Sequence, residues 1–259
     1  MRVKLFGLPV DILTHEETVA RILSAIAHRQ RCQHVAINVA KLVNARSNAE
    51  LENDIRDSDI IGIDGMGILF ALRLLGHEVP ERVAGVDLFE NLMGECAKRG
   101  LKPFLLGASP EVLAAAERAL LQRYPGLVFA GSRDGYFTPR EESDVCDHIR
   151  SSGADCLFIA MPTPRKERFM QRYRDTLGVP FVMGIGGTLD VVGGQVRRAP
   201  LPLQRAGLEW AFRMVQEPRR LGTRYLYTNL VFAGLLAHHV LARFARTLLG
   251  HNRKSAKGA

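Results

Sequence analysis

The chain is short of several signatures that would narrow its function at once. Its four cysteines, Cys32, Cys96, Cys146 and Cys156, are scattered through 259 residues with no CxxC or HxxxH spacing. That excludes a disulfide frame and a zinc site, and fits reduced thiols in a cytosolic protein. There is no GxGxxG and no P-loop lysine motif, which weighs against a nicotinamide-dependent oxidoreductase or an ATP enzyme. The stretch Met1 to Pro9 is too poor in apolar residues for a signal peptide. No run reaches the roughly 18 to 20 apolar residues needed to cross a bilayer. Carboxylates are scarce past Asp190. Arg197, Arg198, Arg205, Arg213, Arg219, Arg220, Arg224, Arg243, Arg246, Arg253, Lys254 and Lys257 face only Glu209 and Glu217 there.

What is present is a globular composition, 47% apolar, with a net charge of +8. The first supports a sizeable core; the second points to an anionic partner such as phosphate, acidic lipid or nucleic acid. Apolar runs alternate with helical patterns. Strands are expected at Arg2 to Phe6, His34 to Asn38, Asp59 to Ile63, Pro103 to Ala108, Leu127 to Gly131, Asp155 to Ala160 and Pro180 to Gly184. Gly7 to Asp11 reads as a break, Thr14 and Glu17 as a capping box, and Pro110 as a first helical residue. Met161 to Glu167 reads as a loop. This alternation is the signature of an α/β fold, Rossmann-like with parallel sheets flanked by helices. We expect a core over 1–195, in two halves of about 1–100 and 101–195, and a basic helical appendage over 196–259.

The densest chemical signal is Asp59-Ile60-Ile61-Gly62-Ile63-Asp64-Gly65-Met66-Gly67. A buried strand ends in a carboxylate among glycines, at the edge where open α/β sheets bind ligands. Asp64 reads either as a general base or hydroxyl-binding group, or as the cap of the helix Met66 to Leu75. Asn38 reads as an N-cap or as a ligand contact at the same edge. Arg82 and Asp87 flank Gly85 before a helix expected over Leu88 to Lys98; they read as a surface pair, a cap, or the lining of a polar pocket. Glycines near 107, 131 and 186 fit strand ends where backbone N–H groups meet phosphate.

In the C-terminal quarter, Leu208 to Val215 suggests a helix stopped near Pro218, and a second covers about Leu226 to Leu249. His238, His239, Arg243 and Arg246 interrupt the second, which argues against spanning and for lying on an anionic membrane surface. Packing on the core or on a second subunit is the structural alternative. The nearby aromatics sit at core-like spacings and no nucleic-acid module is present, so no nucleic-acid partner is expected.

Taken in order, these motifs resemble the WecG/TagA/CpsF family of bacterial glycosyltransferases over nearly the whole chain. The matching pieces are Ile63 to Gly67, Arg82 to Leu88, Leu105 to Gly107, Arg133 to Phe137, Pro164 to Glu167, Gly184 to Asp190 and Arg198 to Pro200. Gly207 to Arg213 and Gln216 to Arg220 complete the set. The resemblance implies an inverting, metal-independent enzyme with no cofactor. It would carry a sugar from a UDP-sugar to a polyprenyl-diphosphate-linked acceptor, as a peripheral protein on the cytoplasmic face of the inner membrane, in exopolysaccharide or related surface-glycan assembly.

On that resemblance Asp64 is the base and Asn38 its pocket partner. Gly65, Arg82, Asp87, Gly107, Asp134, Gly135, Tyr136, Lys166, Glu167, Gly186, Gly187 and Asp190 line the substrate and nucleotide site. Arg213, Arg220 and Arg224 neutralise diphosphate, a task suited to guanidinium forks. Many members carry Gln-Glu where this chain has Lys166-Glu167, so the residue here brings charge. Asp57-Ser58-Asp59 has the spacing of the metal-binding DxD of other transferases, but precedes a strand and reads as a solvated helix end. A hexose donor is expected, with N-acetylmannosamine or its uronic acid as the alternative. A non-catalytic basic module tethered to the membrane is the reading from another class.

Overall fold

In the computed structural model the backbone of residues 1–255 is described, with the side chains of all of these except 220 and 243–255. The chain opens with strands β1 (Arg2–Leu5) and β2 (Leu8–Asp11), then helix α1 (His15–Ala27), β3 (Cys32–Ile37), α2 (Val39–Ser47), α3 (Ala49–Arg56) and β4 (Ile60–Ile63). Helices α4 (Met66–Leu74) and α5 (Gly85–Arg99) lead to β5 (Pro103–Gly107), α6 (Pro110–Arg123), β6 (Gly131–Arg133) and α7 (Glu142–Ser151). Next come β7 (Cys156–Ala160), α8 (Arg165–Arg172), β8 (Phe181–Gly184), α9 (Thr188–Val192), α10 (Leu201–Arg205), α11 (Glu209–Gln216) and α12 (Pro218–Ser255).

Six strands form one parallel sheet in the order β4-β3-β8-β7-β5-β6. The last strand, β8, enters the middle, between β3 and β7, and so joins the early strands to the later ones. A parallel sheet must be covered on both faces, and alternate strand residues supply both cores. Val35, Ile37, Leu157 and Ile159 pack with α2, α3, α7 and α8. Phe158, Phe181 and Met183 pack with α1, α5, α6 and α9. Because the strands run the same way, their C-terminal ends share one edge.

Three expectations are corrected. Gly7 to Asp11 does not merely break β1: Leu8–Asp11 returns as an antiparallel strand around Phe6 (φ 48°) and Gly7 (φ 96°). Positive φ at both central residues is what a tight hairpin turn demands. The strand expected at Leu127 to Gly131 lies later, over Gly131–Arg133, so Gly131 starts it; a β-carbon there would lie 2.8 Å from the Phe104 ring. Pro218 does not only stop a helix but begins α12.

Within α12, the 22 residues Leu221–Ala242 are long and apolar enough to cross a membrane by length and composition. This departs from the expectation that no run would qualify, because histidine, threonine and tyrosine dilute the apolar run while Arg224 alone charges it. The helix nevertheless packs against α2. Leu221, Thr228 and Phe232 are buried, and Phe232 meets Phe6 edge to face with centroids 5.6 Å apart. Its other side exposes Leu226, Tyr227, Leu230 and Leu241. Phe232→Ala should therefore cost about 3 kcal/mol, read as a lower urea midpoint with the sheet's far-UV signal retained below it.

Candidate active site

The β3 and β4 ends carry the carboxylate singled out above. The backbone N–H groups of Asp64 and Gly65 donate to Ile37 O at 3.0 and 3.2 Å, folding the β4 end over the β3 end. A β-carbon at Gly65 would stand 3.1 Å from both Cα and Cβ of Asn38, so any larger residue would have to push Asn38 away. Asn38 is the N-cap of α2, its Oδ1 accepting from the Lys41 N–H at 3.0 Å. Asp64 is also a cap, of a different helix than expected: its Oδ1 accepts from the Gly85 N–H, the first residue of α5, at 2.9 Å. Helix α4 is preceded by Gly65 and has no side-chain cap. Oδ2 of Asp64 makes no hydrogen bond among the described residues, and the side chain is half-buried. The capping and chemical readings are thus compatible, one oxygen for each.

At the β5 and β6 ends, Gly107 (φ 113°) turns so tightly that a β-carbon would lie 2.5 Å from Ala160 O. The Gly135 N–H donates to Ala108 O at 2.9 Å, and Asp134 Oδ1 accepts from the Tyr136 N–H at 2.8 Å, leaving the Tyr136 ring exposed. Arg165 fixes this loop by donating to Gly135 O (3.0 Å) and Phe137 O (2.6 Å) while stacking 4.3 Å from the Phe137 ring centre. Sequence reasoning quoted Arg165 within a motif but gave it no site role.

At the β8 end, Gly186 has φ 53°, and a β-carbon at Gly187 would meet Arg213 Nη2 at 3.0 Å and Asp190 Oδ2 at 3.4 Å. Arg213 Nε is buried without a partner among the described residues. Arg224 is exposed on α12, 5.2 Å from the Tyr225 ring centre. The side chain of Arg220 lies outside the described residues.

Arg82 and Asp87 belong to one run of charges. Arg82 donates to Asp64 O at 3.3 Å and to Glu209 at 2.9 Å; Arg198 reaches Glu209 at 3.4 Å and Asp87 Oδ2 at 2.8 Å. Helix α5 begins at Gly85, earlier than expected, so Asp87 sits in its first turn and not at its cap.

Lys166 and Glu167, expected in a loop, lie in the first turn of α8 and are buried. Lys41 and Lys166 each approach Glu167 Oε1 at 2.9 Å, Lys166 also donates to Thr163 Oγ1, and Glu167 Oε2 has no partner among the described residues. Burial would raise the Glu167 carboxyl, but Lys41 and then Lys166 outweigh it and draw it down to about 2. Burial, then Lys41, pulls Lys166 down to about 8 against the pull of Glu167. Lys41 has no place among the site residues expected from sequence, although it shares Glu167 with Lys166. Its only sequence signal was a place three residues after Asn38, where a lysine in a helix's first turn is unfavourable.

Asp59 lies at the opposite sheet edge. It accepts from the Gln33 N–H at 2.8 Å and from Arg174 at 3.0 and 3.1 Å, so where a solvated helix end was expected, Asp57 ends α3 and Asp59 is an ion-paired carboxylate just before β4. The described residues contain no group of three or more His, Cys, Asp or Glu placed to hold a metal ion.

A sequence model of the glycosyl transferase WecG/TagA/CpsF family matches residues 3–246 of this chain.

Glu167→Gln should destabilise the protein by about 3–5 kcal/mol at neutral pH, since two buried lysines lose their shared counter-charge. The Glu167 contribution is fully present above its ordinary 4.5 and disappears as pH falls towards about 2. Denaturation between pH 3 and pH 7 should accordingly show a weaker acid dependence in the variant than in the parent protein.

Proposed function

The chain belongs to the WecG/TagA/CpsF glycosyltransferase family, and from that premise we propose an inverting, metal-independent transfer from a UDP-sugar to a polyprenyl-diphosphate-linked acceptor. The proposed donor is a hexose, with glucose first and N-acetylmannosamine or its uronic acid second. The reading rests above all on Asp64, whose carboxylate has one oxygen tied to α5 and the other unbonded among the described residues, beside Asn38 at the C-terminal sheet edge. In this scheme Oδ2 takes the proton of the acceptor hydroxyl as that oxygen attacks C1 of the sugar. The bond from C1 to the UDP phosphate breaks on the opposite face, so the configuration inverts. Asn38 orients the attacking hydroxyl. Arg213, near Gly187 and with an Nε unpartnered among the described residues, offers charge to the departing diphosphate.

We further propose that the appendage over 196–259 holds the enzyme on the cytoplasmic face of the inner membrane. The exposed apolar row Leu226, Tyr227, Leu230 and Leu241 and the basic composition around it support this. The test is UDP release from a panel of UDP-sugars with a short lipid-diphosphate sugar acceptor, with and without EDTA. Acceptor-dependent release that survives EDTA is expected. Asp64→Asn should lower kcat by about 10²–10⁴-fold while UDP affinity stays within about threefold, because the amide cannot accept the proton yet keeps the Gly85 contact. Normal turnover in that variant would remove Asp64 as the base.

A further inference from the structure

We propose that Lys41 and Lys166 form an anion seat at the C-terminal edge of the sheet, filled by a phosphate or carboxylate group of the sugar substrate; the identity of that substrate rests on the transferase reading above. The two lysines occupy the first turns of α2 and α8, the positive ends of those helices, where a cation is disfavoured. Both are buried, and they share a single carboxylate oxygen. Arg224 adds a third positive charge close enough to act on Lys166. Two buried cations against one carboxylate leave an excess of positive charge, reinforced by two helix termini, which an incoming anion would balance.

The surroundings say where that anion sits. The Lys166 shaft runs over Gly184, where a β-carbon would stand 3.1 Å from its Cδ, so glycine makes the room for the lysine. Three residues on, a β-carbon at Gly187 would stand 3.0 Å from Arg213 Nη2. The seat and Arg213 therefore bracket the turn that follows β8. On the other side, Asn38 caps the turn that carries Lys41 and backs onto Gly65, next to Asp64. An anion on Lys166 thus lies between the diphosphate position and the reacting hydroxyl. A neutral residue at 166 would leave one lysine against one carboxylate and no excess.

The test is calorimetric titration of the full chain and of its Lys166→Gln and Lys166→Met variants with inorganic pyrophosphate, UDP, UDP-glucose, UDP-glucuronic acid and uridine. If phosphate fills the seat, both variants lose about tenfold or more in affinity for pyrophosphate and UDP and keep that for uridine. If a sugar carboxylate fills it, both keep UDP and pyrophosphate, and lose a preference of the parent protein for UDP-glucuronic acid over UDP-glucose. Equal affinities in all three proteins for every ligand would overturn the proposal, as would a matching loss for uridine. A parent protein that binds pyrophosphate but no uridine compound would keep the seat and discard the UDP-sugar reading; one that binds none of the five would discard both.

Discussion

Glu167 Oε1 receives Lys41 from the helix after β3 and Lys166 from its own helix after β7, and in doing so joins the two sides of β8 beneath the ligand edge. Removing water from three charges is costly; their mutual attraction offsets it, helped by Thr163, whose Oγ1 accepts from Lys166 and donates to Glu167 Oε1 at 3.1 Å. The geometry of the reacting carboxylate follows from that joint. Lys41 belongs to the turn capped by Asn38, Asn38 stands against Gly65, and Gly65 is bonded to the β3 end beside Asp64. A change in the buried charge is thus expected to reach Asp64 through closely packed backbone, since even a β-carbon at Gly65 would stand only 3.1 Å from Asn38.

A second set of charges acts from above. Arg82, Glu209, Arg198 and Asp87 alternate in sign and link the loop after α4, helix α11, the segment after α9, and α5. Single pairs at partly exposed sites contribute little, but here Glu209 and Arg198 each have two opposite charges as neighbours and the linkage crosses four elements. Its consequence is positional: α11 carries Arg213, and fixing α11 through Glu209 brings that guanidinium against Gly187. Two residues singled out for a pocket therefore spend their charges on placing a third.

The sequence disclosed what is local. The alternation of apolar runs and helices gave the parallel sheet, Thr14 and Glu17 formed the expected capping box, and the glycines around Asp64 marked a close approach that the structure shows. It concealed what depends on distant partners. Glu209 is 127 residues from Arg82 and Glu167 is far from Lys41 in the chain, so no spacing rule pairs them. Lys166 was read as a loop residue because two prolines precede it, yet the chain enters α8 directly after Pro164. The hairpin at Phe6 was hidden because a bulky residue with positive φ is a poor turn signal. The β6 shift has a similar origin: a three-residue edge strand gives too little alternation to fix its register.

Helix α12 shows why apolar content alone does not decide how a helix meets a membrane. A helix crossing a bilayer by itself presents lipid-facing side chains all round, whereas this one commits Leu221, Thr228 and Phe232 to the protein. Leu226, Tyr227, Leu230 and Leu241 remain on the outside. The apolar residues that satisfy a length criterion are thereby divided between two solvents, the protein core and whatever covers the exposed row. That division favours the proposed attachment along the surface over a span, because withdrawing the helix into a bilayer would strip Phe6 of its ring contact and uncover α2. Under the proposed function it would also couple attachment to chemistry. The same helix carries Arg224, whose charge acts on Lys166. Under the proposed docking, a lipid-linked diphosphate would meet its cations at the level where the exposed row enters the interface.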